Sequence, residues 1–464
     1  MTTIKNLSLV LFSALLFFSC EEKSTIDFGG VVPEFVFTHV NVIPMDSERV
    51  MEDQSVVIGG GKILAVGDAG QISVPESAKV IDATGKYLMP GLAEMHAHIP
   101  VPREGQEDVV DETLFLYLSN GITTIRGMLG DPFHLELKAR VAREEIVSPR
   151  IFTSGPSLNG NTVPDLKIAD STVRAQKLAG YDFMKLHPGI KREVFDKIVS
   201  TAKEVGMPYA GHVSIYVGIR HALESDYASV DHIDGYLEGL VPQSAGVKPE
   251  DNGFFGFNFT DLVDTSLIPE LVDLTLSHNV AVVPTQGLLV RWTSTEKPEI
   301  TIAEPEMKYM SPRTRDQWVQ SKFGFQRLEN YDSARVADFI AIRKKILKVL
   351  HEKGALIVLG SDAPQVFNVP GFSIQHELAA MLDAGLTPYE CLVTGTLNPA
   401  KYFDREGEFG VVAKGSSADL ILLDKNPLTD LSNMKNPSGV MYRGKWLPRE
   451  EIQSKLDAIE AKYK

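Results

Sequence analysis

Two rhythms of apolar and polar residues divide the chain. Between residues 34 and 88 the apolar positions fall in short β-branched and aromatic runs, the pattern of strands. Phe35-Val36-Phe37-Thr38-His39-Val40-Asn41-Val42-Ile43 is the first. Ser55-Val56-Val57-Ile58 and Ile63-Leu64-Ala65-Val66 flank Gly59-Gly60-Gly61-Lys62, which predicts a hairpin. Val80-Ile81-Asp82 leads into another turn at Gly85-Lys86. Such strands need a partner sheet to bury their apolar face. The far end offers one in Leu420-Ile421-Leu422-Leu423 and Val440-Met441-Tyr442. We expect both ends to build one small discontinuous β-sandwich from residues 34–88 and 404–464, the latter with a C-terminal helix.

From residue 89 to 403 short apolar runs alternate with helical periodicity, the signature of a parallel sheet. The runs are Met89 to His98, Thr123-Thr124-Ile125, Arg150-Ile151-Phe152-Thr153, Phe183-Met184-Lys185-Leu186, Pro208-Tyr209-Ala210-Gly211-His212, Ser229-Val230-Asp231-His232-Ile233, Ala281-Val282-Val283-Pro284 and Leu356 to Asp362. A helix through Leu114-Phe115-Leu116-Tyr117-Leu118 stops at Asn120-Gly121, and residues 193–205 and 334–353 read as further helices. Eight such repeats make the expected class α/β, a (β/α)8 TIM barrel whose chemistry lies at the C-terminal strand ends. Two connections, residues 236–265 and 286–331, are long for such a fold. They are candidates for specificity elements, or else for surface decoration or a contact between copies.

Composition changes this picture little; charge and cysteines change it more. A net charge of −15 argues against a nucleic-acid partner, which needs clustered Lys and Arg. With Cys20 and Cys391 the only cysteines, a disulfide framework is excluded. Residues 1–20 read as a leader: Lys5, an apolar run from Leu7 to Phe18, then Ser19-Cys20. The run is too short for an ordinary membrane span. It resembles a bacterial lipoprotein signal with Cys20 as the lipidated residue; the alternative is a plain secretory leader with an incidental cysteine. Residues 21–33 would then be a tether, and the protein would sit lipid-anchored at the membrane of the bacterial cell envelope.

The candidate chemistry begins at His96-Ala97-His98. On a strand, residues i and i+2 share a face, so both imidazoles leave together, an arrangement that suits a transition-metal ion. A lone His at a strand end is more often a hydrogen-bonded core residue. Here Lys185, His212, His232 and Asp362 each end a different run, and charged groups there would be costly without partners.

Taken with other motifs, these residues resemble the metal-dependent amidohydrolase superfamily, in its imidazolonepropionase-like and prolidase-like branch. The motifs are Pro90-Gly91-Leu92 before the histidine pair, Gly121-Ile122-Thr123-Thr124, Gly360-Ser361-Asp362-Ala363, Thr396-Leu397-Asn398-Pro399-Ala400 and Ser417-Ala418-Asp419-Leu420. The resemblance implies two divalent ions, zinc being the expected metal. His96, His98 and Asp362 would hold one and His212 and His232 the other, with Lys185 as a carboxylated bridge. The alternative for Lys185 is a lysine paired with Asp362 in a one-metal site. The resemblance also implies that Asp362 shuttles the proton during cleavage of a C–N amide bond in a small molecule. That substrate would be a dipeptide such as Xaa-Pro or an N-acyl amino acid. A mononuclear hydrolase or deaminase of a cyclic amide or imidazolone, and a non-catalytic solute-binding lipoprotein, are the alternatives; an oligomer is compatible with all three.

Three residues are substrate-binding candidates: His187, otherwise a solvated loop histidine; Arg126, otherwise a buried salt bridge; and Tyr236. His376-Glu377-Leu378 reads as helix packing. Glu94 stands where relatives often carry Asp, which puts the local support of the strand in question.

Overall fold

Residues 28–73, 76–106 and 108–464 are described in a computed structural model of the chain. The leader, Cys20 and the tether up to residue 27 lie outside the described residues. Among the described residues no helix is long and apolar enough to cross a membrane.

The first five strands are β1 (Phe35–Val42), β2 (Met51–Gly59), β3 (Lys62–Asp68), β4 (Lys79–Asp82) and β5 (Tyr87–Pro90). Then come β6 (Leu92–Ala97), β7 (Ile122–Gly127), β8 (Arg150–Thr153), β9 (Met184–Leu186), β10 (Tyr209–Gly211), β11 (Ser229–Asp231) and β12 (Ala281–Val283). The chain closes with β13 (Leu420–Leu423), β14 (Gly439–Tyr442) and β15 (Lys445–Pro448).

Strands from the two chain ends pair in a single eight-stranded sheet, ordered β15-β14-β13-β5-β1-β2-β3 with β4 also on β1. The joint β domain built from both chain ends is present as this one hydrogen-bonded strand order, and its arrangement as a sandwich is not shown. Strand β1 joins the segments: it pairs antiparallel with β2 on one edge and parallel with β4 and then β5 on the other. The sheet's two faces follow strand alternation. Phe37, Val56 and Leu420 bury one side, and Val36, Val57 and Ala65 bury the other. At Gly91 the chain crosses from β5 into β6. A Cβ there would lie 2.1 Å from Thr123 Oγ1, so a side chain cannot be accommodated.

The middle of the chain alternates strand and helix as its periodicity predicts. The parallel strands fall into two sheets, β6-β7-β8 and β12-β11-β10-β9. They meet through single contacts rather than a continuous ladder. Asp182 N donates to Thr153 O (3.0 Å) between β8 and β9. The eighth run, residues 356–363, is not an extended strand, yet it is hydrogen-bonded on both sides. Val358 N reaches Val282 O (3.0 Å), and Met95 N reaches Leu359 O (2.7 Å). One apolar core under these strands includes Leu92, Ile125, Met184, Val230, Val282 and Leu359. The helices keep their expected places: Val109–Ser119, Arg192–Val205 and Ser333–Glu352. The last starts where the Asp332 carboxylate accepts from Ala334 N and Arg335 N, a side-chain cap. The two long connections are built from short helical pieces, among them Phe254–Leu262, Gln286–Thr293 and Pro312–Gln326.

Candidate metal centre

All six residues singled out as ligands come together at the C-terminal ends of the parallel strands. His96 lies in β6 with His98 just beyond it; Lys185 lies in β9; His212 and His232 follow β10 and β11; Asp362 lies in the eighth run. His98 Nε2 is 2.6 Å from Asp362 Oδ1 and His96 Nε2 is 3.6 Å from it. Lys185 Nζ is 3.4 Å from His96 Nε2. The His232 ring packs 4.4 Å from that of His96 and 4.5 Å from that of His212, between centroids. His96, Lys185, His232 and Asp362 are buried, whereas His98 and His212 line the accessible rim. Gly211, at φ +125°, leaves room for the lysine: a Cβ there would stand 2.7 Å from Lys185 Cδ.

Three of the four imidazoles have an oxygen atom behind the far nitrogen. His212 Nδ1 is 2.9 Å from Asp234 Oδ2, and His232 Nδ1 is 2.9 Å from Thr285 Oγ1. His96 Nδ1 lies 2.8 Å from Asp231 Oδ2, though at an angle that makes no hydrogen bond, and it has no other partner. Oxygen atoms behind Nδ1 leave Nε2 as the ligating atom, the usual support of a metal-bound histidine. Burial, reinforced for His96 by the Lys185 charge, holds His96 and His232 well below the ordinary imidazole range and pushes His212 down to about 3. They are therefore neutral, which is the ligating form. Burial also pulls the Lys185 ammonium down to about 8, against the opposing pull of Asp231 and Asp362. The donor set fits a divalent ion: His96, His98 and Asp362 offer atoms all within 4.8 Å of one another.

The substrate-binding candidates fare differently. His187 sits at the centre, its ring 5.0 Å from that of His212. Arg126 does not reach the open site. It is fully buried, and its nitrogens donate to Met95 O, Ser229 Oγ, Tyr402 OH and Asp231. The salt bridge is the reading its surroundings support, because no donor faces a ligand. Tyr236 is likewise corrected: it is fully buried, and its hydroxyl is 2.7 Å from Thr275 Oγ1 on the helix Ile268–Ser277. Glu377 accepts from Gln286 N and Gly287 N at the start of the helix Gln286–Thr293, a packing role. Glu94 accepts from His96 N (2.9 Å), Ser361 N (2.8 Å) and Ser361 Oγ (2.6 Å). The longer acid thus ties the histidine strand to the Asp362 run, and burial raises its carboxyl to about 8.

Sequence reasoning missed Asp231, Asp234 and Thr285. The signal was present for the first, an acid inside an apolar strand run beside His232, where an unpaired charge would be expensive. Nothing local marks Thr285 or Asp234.

Comparison with known proteins places the chain in a family. The model of a family described as Amidohydrolase family matches residues 87–447. An imidazolonepropionase of Geobacillus sp. (strain WCH70) is 23% identical over 406 residues, covering 82% of this chain and 86% of that protein. An adenine deaminase of Chelativorans sp. (strain BNC1) is 30% identical over 205 residues, or 40% of this chain, and the match spans only 33% of the deaminase. The structure of a Xaa-Pro dipeptidase with bound methionine superposes with a TM-score of 0.64 at 20% identity, over 89% of this chain and 99% of that one. At that identity the likeness is one of fold.

Proposed function

The chain belongs to the amidohydrolase family, and from that premise we propose that it is a metal-dependent hydrolase of a C–N amide bond in a small substrate. Dipeptides of the Xaa-Pro kind and N-acyl amino acids are the classes we favour. In this reading the bridged parallel strands act as a (β/α)8 barrel, with the centre at its C-terminal mouth. The observation that carries the proposal is the convergence of four imidazoles, a buried lysine and Asp362, with oxygen atoms set behind three of the rings.

His96, His98 and Asp362 would hold one divalent ion and His212 and His232 a second, zinc being the metal expected. Lys185 would serve both as a carbamate, formed when carbon dioxide adds to its neutral amine with release of one proton. The burial that lowers its pKa favours that amine. The bound ions would supply acidity for water and polarisation for the scissile carbonyl near neutral pH. Asp362 accepts the proton of the attacking water and hands it to the leaving nitrogen. Asp231, Asp234 and Thr285 fix the ring planes, and His187 faces the substrate from the rim. The leader with Cys20 would hold the enzyme on a membrane surface, and loss of membrane fractionation in Cys20→Ala is the expected result.

Elemental analysis of protein lacking residues 1–20, beside its Lys185→Ala variant, tests the centre. About two ions per chain, falling in the variant, are expected by the metal-site arithmetic of a bridged pair, with turnover on a panel of dipeptides and acyl amino acids. A second reading has its own support. The tight group of candidate ligand atoms contains His96, His98 and Asp362 alone, and the imidazolonepropionase match runs over most of the chain. One ion in both proteins, with turnover of a cyclic amide, would favour that mononuclear enzyme. An absence of bound ions after reconstitution would defeat both.

A further inference from the structure

The connection after β11 brings an aromatic ring to the metal-ligand histidines. Phe255 is partly exposed, and its ring lies 5.8 Å from His212 and 5.5 Å from His232, between centroids. Its backbone stands at φ +50°, ψ +42°, left-handed space that bulky residues rarely hold. Such an outlier persists only where its surroundings impose it. Here they do. Phe254 meets the Phe255 ring edge-on at 4.8 Å and is itself backed by Trp292 at 4.9 Å and Phe325 at 5.4 Å, both from the other long connection. On the far side, Gly256 is pressed so closely on the helix Tyr236–Gly239 that a Cβ would lie 2.7 Å from Leu237 Cδ2. Asn252 Nδ2 closes the turn by donating to Glu238 Oε1 (2.9 Å). Phe257 and Phe259 supply the buried rings of the segment, whereas Phe255 packs against their cluster on one side, meets the two histidines on the other and stays partly exposed.

We propose that Phe255 is a specificity-determining residue: with its ring fixed beside His212 and His232, it forms the wall of a subsite for an apolar, flat substituent flanking the scissile carbonyl. Apolar walls around a few convergent polar groups are what small-molecule sites use to orient a ligand, and offset or edge contacts between rings favour an aromatic or cyclic group there. The inference rests on the centre proposed above. It assigns the two long connections a shared task, one carrying the ring and the other its backing.

The test uses zinc-loaded protein and two metal-binding probes that differ by one ring, acetohydroxamic and benzohydroxamic acid, titrated by calorimetry. Wild type is expected to prefer the benzo compound by about tenfold or more. Phe255→Ala should lose most of that preference while its affinity for the aceto compound stays within about twofold, and Phe255→Leu should keep part of it. Phe255→Gly, which suits the left-handed backbone, should melt no lower than wild type and lose the preference too. The same preference in wild type and Phe255→Ala would overturn the inference. So would equal losses for both probes, which would mean that Phe255 supports the ions rather than a subsite. Failure to hydrolyse any amide, with the binding preference present and dependent on Phe255, would count against the hydrolase reading and leave the subsite supported.

Discussion

Replacing Arg126 by Met removes a buried positive charge while keeping an apolar stem of similar length. Both partners of the Arg126–Asp231 pair are sealed from solvent. The guanidinium lies 3.2 Å from each carboxylate oxygen, and it also donates to Met95 O at 2.6 Å and Tyr402 OH at 2.7 Å. After the substitution Asp231 keeps Ser229 Oγ at 2.7 Å and a distant Lys185 Nζ at 3.9 Å. An exposed pair would be worth about 1 kcal/mol or less. A buried carboxylate stripped of its partner costs about 3–5 kcal/mol, and that is the expected loss here. Adding Asp231→Asn should recover about half of it or more, since the stranded charge is gone. The pH dependence has a definite sign. Burial alone would raise the Asp231 carboxyl, but Arg126 and Lys185 outweigh it and hold the group below the ordinary range. Its contribution is therefore present above the open-chain value near about 3.9 and lost as pH falls through the lower folded value. Without Arg126 that pull weakens, so the deficit of Arg126→Met should be largest near neutral pH and shrink as the carboxyl protonates. Urea midpoints of the metal-free proteins at several pH values measure this without linkage to bound ions. An unchanged midpoint together with a raised KM for carboxylate-bearing substrates would refute the reasoning and return Arg126 to the substrate.

Three further substitutions probe other layers of the same site. Asp362→Asn should keep its metal content and lose about 10²–10⁴-fold in kcat; near-normal turnover in the loaded variant would remove Asp362 from proton transfer. Asp234→Asn, which weakens the hold on His212 Nδ1, should lower zinc affinity about 10–100-fold in a chelator competition, and equal affinities would show that the ring needs no such support. Glu377 is buried at the start of the helix Gln286–Thr293, and burial lifts its carboxyl from 4.5 to about 7. A raised carboxyl binds its proton more tightly in the folded state, so stability is lost as pH rises through that interval, by about 3 kcal/mol. Glu377→Gln should flatten that slope between about pH 4.5 and 7, and a slope identical to wild type would place the titration elsewhere.

Much of this site was legible because strand ends are legible. Short apolar runs ending in His96, Lys185, His212, His232 and Asp362 carry their own warning, since a polar group at such a place needs a reason. The burial of Arg126 and Tyr236 was not legible in the same way. Both follow strand runs in sequence, yet a position near a strand end does not say whether a side chain points into the mouth or beneath it. The single sheet built from the chain ends was hidden for a related reason. Strand composition reveals apolar faces, whereas pairing of both β1 edges is a property of hydrogen bonds between distant segments.

Least legible of all is the backbone turn that aims the ligands. His232, Ile233, Thr285 and Asp362 stand at φ of 65°, 52°, 43° and 63°, a region that costs such residues about 1–3 kcal/mol each. None is glycine, so the sequence gives no local hint of the turn. The geometry follows from what holds the carbonyls at the strand ends. Arg343, buried in the helix Ser333–Glu352, donates to His232 O at 2.7 Å and Pro284 O at 3.4 Å, and also to Gln286 Oε1 at 3.1 Å. One guanidinium thus ties the ends of β11 and β12 beneath the centre, while Glu94 ties β6 to the Asp362 run on the opposite side. Bending the chain out of extended geometry just past the strand turns a side chain that would continue along the sheet into the mouth of the site. The energy of that bend is drawn from buried polar contacts to the backbone of the ligand residues and their neighbours, which is why the metal-binding geometry can be rigid before an ion arrives. The histidines are positioned by groups that a scan for histidines does not find.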